Sequence, residues 1–468
     1  MANDPERLHE TWLHSDRPIP RQFVRRALRF ADTEAASGMV LLAATVVALL
    51  WANSAWGAGY FTFWGTELTI ELGPIHFEET LKGIVNDGLM AIFFFVVGLE
   101  IKRELVVGEL NSIRKAALPA MAALGGMVVP ALIYVSFVAT SNGGDAVAGW
   151  GIPMATDIAF SVGVIALLGS RVPVGAKLFL LALAIVDDIG AILVIAVFYT
   201  ADLSIIWLAI AAGALLLIFT SRQAGIRSIA VYLPLALIVW FAFLESGVHA
   251  TIAGVILGLM VPARAMYSDV DFRRRAGWIL ERFDMDAASP EARERLDQDA
   301  LELEAIARES VAPLERYEYR LHRFSSFIVV PLFALANAGI RFADLDLLAA
   351  IFSPVALGVS VGLVLGKPLG IALATWIGLR LKLGELPRNV HFGHVIGVGV
   401  LAGIGFTVSL FIAELAFRSS AMAGILTDEA KIGIFLGSAI AGVAGYFVMR
   451  RVTASPAEAT GSAEADAP

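Results

Sequence analysis

Apolar residues dominate twelve stretches of 17 to 29 positions, separated by short polar connections and one long one. A hydrocarbon core of about 30 Å is crossed by about 20 helical residues. Each stretch therefore predicts a transmembrane helix: 34–56, 83–107, 116–140, 146–168, 172–200, 203–219, 227–244, 247–263, 323–340, 352–378, 394–417 and 430–449. Barrel strands would read as segments of about ten residues with alternating polarity, so an all-α polytopic membrane protein is expected. Strict alternation occurs in 60–80, where Leu68, Ile70 and Leu72 precede Gly73-Pro74, and Ile75 and Phe77 follow. This predicts a small external β-hairpin, either a local lid or a subunit contact.

Three polar segments complete the plan. Residues 1–33 are mixed and charged and predict a cytoplasmic N-terminal segment, with no cleavable signal peptide, because the first apolar run is long enough to span. The membrane domain then covers 34–450. Within it, 264–323 is a long cytoplasmic loop, in which Ser289-Pro290-Glu291 reads as an N-cap, a proline at the first helical position and an acidic first turn. Leu296, Ala300, Leu303 and Ala307 follow at helical spacing, so a solvated amphipathic helix is expected there. Residues 451–468 are rich in Ala, Ser, Pro and acid and predict a disordered cytoplasmic tail.

The 468 residues are 58% hydrophobic and 17% charged, with a mean hydropathy of +0.75. No soluble core absorbs that excess of apolar side chains. A net charge of −8 offers nothing to a nucleic acid, and the lack of cysteine excludes disulfides, thiolate metal sites and a cysteine nucleophile. Of 35 Lys and Arg residues, 30 fall in the terminal segments, in the connections that follow even-numbered spans and at the span ends that adjoin them. Lys82, Arg341, Arg418 and Lys431 fall on the other side, and Lys367 lies within a span. Positive charge stays inside, so both termini are predicted to be cytoplasmic.

Five ionisable residues interrupt the apolar runs: Asp87, Asp157, Asp187, Asp188 and Lys367. Each costs roughly 2.5–3.5 kcal/mol at mid-bilayer, and such residues mark ion pathways, proton relays or counter-ions. Buried pairs that only hold helices together are the structural alternative, most of all for Asp87. Asp187 and Asp188 are helical neighbours, about 100° apart, so one can line a cavity while the other pairs with a cation. Adjacent carboxylates at low dielectric titrate together, and a hard monovalent cation seeks the same oxygens. Proton and cation then compete for one site.

Asp157 sits in GWGIPMATDIAFSVG, and Gly399, Gly403, Gly405, Thr407 and Ser409 punctuate HVIGVGVLAGIGFTVSLFIAEL. Gly/Pro-interrupted spans in corresponding halves point to broken helices meeting at a substrate site. Asp157 can then offset facing positive helix poles. Tight packing at small residues is the other reading of the glycines. Lys367 precedes Pro368 and is too deep in its run to snorkel; it would stabilise negative helix poles or pair with an aspartate.

The segments PMATDIAFSVGVIALLGSRVP, LALAIVDDIGAI and LGKPLGIAL, with GLEIKREL, SGVHATIAGVILGL, PLFALANAGI and GIGFTVSLFIAELAF, resemble the NhaA family of bacterial sodium/proton antiporters over residues 30–450. The resemblance implies two inverted repeats of three helices each, with the fourth and eleventh helices interrupted and crossing. It implies Asp188 as the main Na+ and proton carboxylate and Asp187 as its partner, pairing with Lys367 in one state. Thr156 and Asp157 would lie at the crossing. Activity would be electrogenic exchange of cytoplasmic Na+ or Li+ for external H+, usually two protons per sodium. It would take place in the bacterial inner membrane, with no organic cofactor and no enzymatic step. Silencing at acid pH would involve Glu100, Glu104, Glu318 and His322 at the cytoplasmic mouth, with His249 matching a position linked to pH response. Tyr319 replaces a histidine common in the family, a departure that touches any shared histidine sensor. The 60–80 hairpin would join two protomers into a homodimer, and the 264–323 connection is longer than the family core needs.

Three other readings compete. An intramembrane aspartyl protease also needs aspartates on separate helices, but Val186 rather than glycine precedes Asp187, and such a mechanism leaves Lys367 without use. A retinal protein would use a membrane lysine with an aspartate counter-ion, which twelve spans and Pro368 fit poorly. A sodium-coupled organic-solute symporter would need a larger pocket with groups for the solute.

Overall fold

The structure, a computed structural model, describes residues 36–72, 75–140, 144–200, 203–282 and 290–453. The 1–33 segment, the Gly73-Pro74 turn, the Ser289 cap and the tail beyond Thr453 lie outside these residues.

In chain order the helices are α1 (Ala36–Ala52), α2 (Gly57–Trp64), α3 (Leu81–Val106), α4 (Ile113–Ala139), α5 (Ile158–Leu168), α6 (Val174–Phe198), α7 (Ile205–Gln223) and α8 (Ile229–Glu245). They continue with α9 (Ala250–Met260), α10 (Asp269–Arg282), α11 (Pro290–Glu309), α12 (Pro313–Phe324), α13 (Val330–Asn337), α14 (Leu347–Ile351) and α15 (Pro354–Val361). The last four are α16 (Lys367–Arg380), α17 (Phe392–Ala402), α18 (Phe406–Ala416) and α19 (Ala423–Thr453). Among the described residues seven helices are long and apolar enough to cross a bilayer, or ten when each of three bent pairs counts as one; α8 and α9 are shorter apolar helices. The chain is a helical membrane protein.

Three details depart from the sequence reading. The hairpin is narrower than 60–80: β1 (Glu67–Leu72) pairs antiparallel with β2 (Ile75–Thr80), from Glu67 opposite Thr80 to Leu72 opposite Ile75. Residues 57–64 are helical instead, bent 115° from α1. The 264–323 connection contains α10, α11 and α12 rather than one helix, and α19 runs three residues into the stretch read as tail.

The chain divides into two compact units. The first comprises residues 1–62, 118–187 and 334–468. Its core gathers Leu118, Phe179, Leu183, Val398 and Leu401. Here α4 and α16 touch backbone to backbone: a Cβ on Gly370 would lie 2.1 Å from the Gly125 carbonyl oxygen. Only glycine allows that approach, which lays the Lys367 stem against α4, where a Cβ on Gly126 would meet its Cδ at 3.7 Å. A π-helical turn, Gly362–Gly366, delivers Lys367-Pro368. The extra residue per turn accommodates the missing amide of Pro368.

The second unit comprises residues 63–117 and 188–333. In it α3 and α9 pack closely through glycines: a Cβ on Gly254 would lie 2.1 Å from the Ala91 carbonyl oxygen. Asp87 is buried in a π-helical turn, Ile84–Leu89, whose backbone oxygen accepts from Trp240 Nε1 at 2.7 Å.

Candidate ion-exchange site

Two spans of the first unit are broken. The 3₁₀ helix Gly144–Met154 gives way to α5 with a 40° bend, and α17 to α18 with a 48° bend. Ala155-Thr156-Asp157 and Gly403-Ile404-Gly405 form the breaks, and they bond to each other: Asp157 N–H donates to the Ile404 oxygen at 2.6 Å. Inside a bilayer no water satisfies the freed carbonyls. Side-chain hydroxyls do so here. Ser161 Oγ donates to the Leu401 oxygen (2.9 Å), Thr156 Oγ1 to that of Ala402 (3.0 Å), and Ser409 Oγ to that of Ile152 (2.7 Å).

Asp157 serves the opposite ends. Its Oδ1 accepts from Phe160 N at 3.1 Å, capping α5. Its Oδ2 accepts from Thr407 N at 3.1 Å and Thr407 Oγ1 at 2.6 Å, in the first turn of α18. The α18 N-cap is Gly405, which has no side chain to offer. Each helix N-terminus carries roughly half a positive charge, so one carboxylate balances two poles.

Beside this crossing Lys367 Nζ donates to Asp187 Oδ2, and also to Thr156 Oγ1 at 2.9 Å. Thr156 Oγ1 lies 2.6 Å from the same Asp187 oxygen. Lys367 and Asp187 are both fully enclosed, with side chains 0% exposed. Asp187 Oδ1 is buried with no hydrogen-bond partner. A buried carboxylate with one oxygen in a charge-assisted bond and the other without a partner has the chemistry to accept a proton or a cation. Asp188, the next residue on α6, is buried too. Among the described residues no group of three or more His, Asp and Glu is placed to hold a metal ion by itself. A cation here would complete its shell with hydroxyl or backbone oxygens.

In the second unit Arg103 gathers the residues of the expected mouth. It pairs with Glu318, and its guanidinium lies 3.7 Å from Glu104. His322 Nε2 lies 4.0 Å from Glu100 Oε1. His249 is engaged elsewhere, its Nε2 lying 2.7 Å from the Tyr199 oxygen.

The chain matches the family described as Na+/H+ antiporter 1 over residues 28–449. It belongs to that family. The Na(+)/H(+) antiporter NhaA of Oleidesulfovibrio alaskensis is 46% identical over 426 residues, 90% of this chain and 93% of the relative. That of Rhodopirellula baltica is 46% identical over 92% of this chain and 95% of the relative. The Na(+)/H(+) antiporter NhaA 2 of Syntrophotalea carbinolica is 46% identical over 92% and 97%.

The sequence pattern singled out Asp157, Asp187 and Lys367, but not the work of Ser161, Thr407 and Ser409. The signal was present as hydroxyls two and four residues beyond Gly405, and at the same four-residue offset beyond Asp157. Arg103 was likewise passed over, although it stands between Glu100 and Glu104 in GLEIKREL.

Proposed function

We propose that this membrane protein exchanges cytoplasmic Na+ or Li+ for external H+, electrogenically and under pH control, as a homodimer of the bacterial inner membrane. Membership of the sodium/proton antiporter family supports the exchange itself. The observation that carries the site is Asp187: one oxygen neutralised by Lys367, the other without a partner, and a second carboxylate next in sequence. In the cation-free state Lys367 holds a proton against Asp187, and Asp188 holds a second. Sodium binds between the carboxylates, assisted by Thr156, and both protons leave. Two charges leave for each one that arrives, so the cycle responds to membrane potential. Asp157 stays ionised throughout as the counter-charge to the two helix poles.

In this reading the chain crosses twelve times, through the seven long helices, the three bent pairs, and the shorter α8 and α9. With both termini cytoplasmic, the two broken spans are the fourth and eleventh, and they belong to inverted three-helix repeats. The β1–β2 hairpin joins protomers, and the Arg103 cluster with His249 senses cytoplasmic pH. The protein is a transporter rather than an enzyme. An aspartyl protease would need two carboxylates free to share a water, whereas both oxygens of Asp157 are occupied by cap donors.

Everted vesicles test the proposal. Adding sodium dissipates a preformed pH gradient with no organic solute present, and the purified protein releases protons when it binds sodium. Sodium binding without proton release, or a requirement for an organic solute, overturns it.

A further inference from the structure

Neither the ion site nor the Arg103 cluster uses the hairpin formed by α10 and α11. Its inner side buries Ala276 and Ile279, and Arg282 reaches across to Asp299 at 2.8 Å. The base is closed by Met266 N–H on the Glu309 oxygen (2.9 Å) and Leu314 N–H on the Pro262 oxygen (3.2 Å). One end of the hairpin leaves from the apolar helix α9 at Met260, and the other leads through the polar α12 into the membrane-length stretch Pro313–Asp344. The few residues from Met260 to Asp269 reach at most about 30 Å when extended, so α10 is tethered close to the membrane surface.

The outer side of α10 is built unlike a solvated face. Val270, Arg274 and Trp278 recur at four-residue intervals, with Val270 73% and Trp278 56% exposed. Leu280 is also exposed, and Arg273 and Arg275 extend the basic run. The Arg282 guanidinium stacks 3.6 Å from the Trp278 ring centroid and holds the indole in place. Arg274 pairs only with exposed Asp271, at 2.7 Å, a bond weak enough to yield to a phosphate. The exposed residues of α11 carry both signs, Glu294, Asp297, Glu302 and Glu304 alternating with Arg293, Arg295 and Arg308. An anionic surface therefore meets three consecutive arginines beside exposed apolar side chains on α10, and mixed charge on α11.

We infer that α10 docks on the anionic phospholipid headgroups of the bilayer in which the chain sits. Arg273, Arg274 and Arg275 engage lipid phosphates, while Val270 and Trp278 enter the boundary between headgroups and acyl chains. The inference is independent of the ion chemistry proposed above.

The chain has no cysteine, so Val270→Cys on α10 and Leu301→Cys on α11 each create a unique site for a nitroxide label. The full-length protein is placed in nanodiscs of phosphatidylcholine with and without phosphatidylglycerol. With the anionic lipid, collisions of the Val270→Cys label with lipid-soluble oxygen rise at least about threefold relative to those with a water-soluble nickel chelate. The Leu301→Cys label does not respond. Raising the salt concentration reverses the change in the native background, and replacing Arg273, Arg274 and Arg275 by glutamine abolishes it. A Val270→Cys label equally exposed to water in both lipids overturns the proposal. So does protection that depends on protein concentration in detergent, which would assign this face to a second copy.

Discussion

At the scale of single residues the proposed chemistry rests on charges that have no water to fall back on. Asp188→Asn removes the carboxylate that takes up sodium while leaving the Lys367–Asp187 pair intact. Exchange in vesicles is lost and membrane insertion is unchanged; wild-type sodium-driven proton flux in that variant would disprove the assignment. Lys367→Ala strands Asp187 in a fully enclosed position. Removing one member of a buried pair costs roughly 3–5 kcal/mol, so the melting temperature in detergent falls clearly. Arg103→Ala acts differently, because its guanidinium is the cation between Glu318 and Glu104. Without it, Glu318 and Glu104 lose the cation they share, and the pH profile of sodium-driven flux is displaced from that of the wild type. The aspartates and the lysine were legible in the sequence because charge is conspicuous in apolar runs. Thr407 and Ser161 were not, since a hydroxyl in a helix is commonplace until a broken strand of backbone passes it.

At the scale of elements, close approach decides function. The contact of α4 with α16 at Gly125 and Gly370 sets the depth at which Lys367, one turn away, meets Asp187. Gly370→Val forces these helices apart. Overpacking of this kind costs roughly 1–3 kcal/mol, and exchange falls at least tenfold because the ammonium shifts by a fraction of an ångström or more. Vesicle flux compared with thermal melting separates the two effects: flux collapses while most of the fold survives. Breaks in the fourth and eleventh stretches were readable from Pro153, Gly403 and Gly405. The reciprocal bonding of Asp157 N–H with Ile404, and of Ser161 and Ser409 across the crossing, was not. Those partners are about 240 to 260 residues apart in sequence.

At the scale of the molecule, the length of the hydrophobic runs carried most of the helical architecture. Twelve apolar runs had counterparts in long helices, bent pairs or short apolar helices. The long connection shows where this legibility stops. Its amphipathic spacing announced a helix but not that three helices would form, nor that α10 and α11 would close into a hairpin through Arg282 and Asp299. Register and partner choice on polar helices depend on contacts between segments, which local periodicity does not encode.

Sequence alone determined that this chain lives in a bilayer and that its helices carry acids and one lysine into apolar surroundings, because transfer from water to hydrocarbon is a property of residue type and run length. It also carried the family resemblance in long, ordered motifs. Only the tertiary structure decided which charge meets which: Lys367 on Asp187 and Thr156, Asp157 on two helix ends, Arg103 between Glu104 and Glu318. Those pairings follow from where glycines let backbones touch and where broken helices expose their ends, and both are facts of packing in three dimensions.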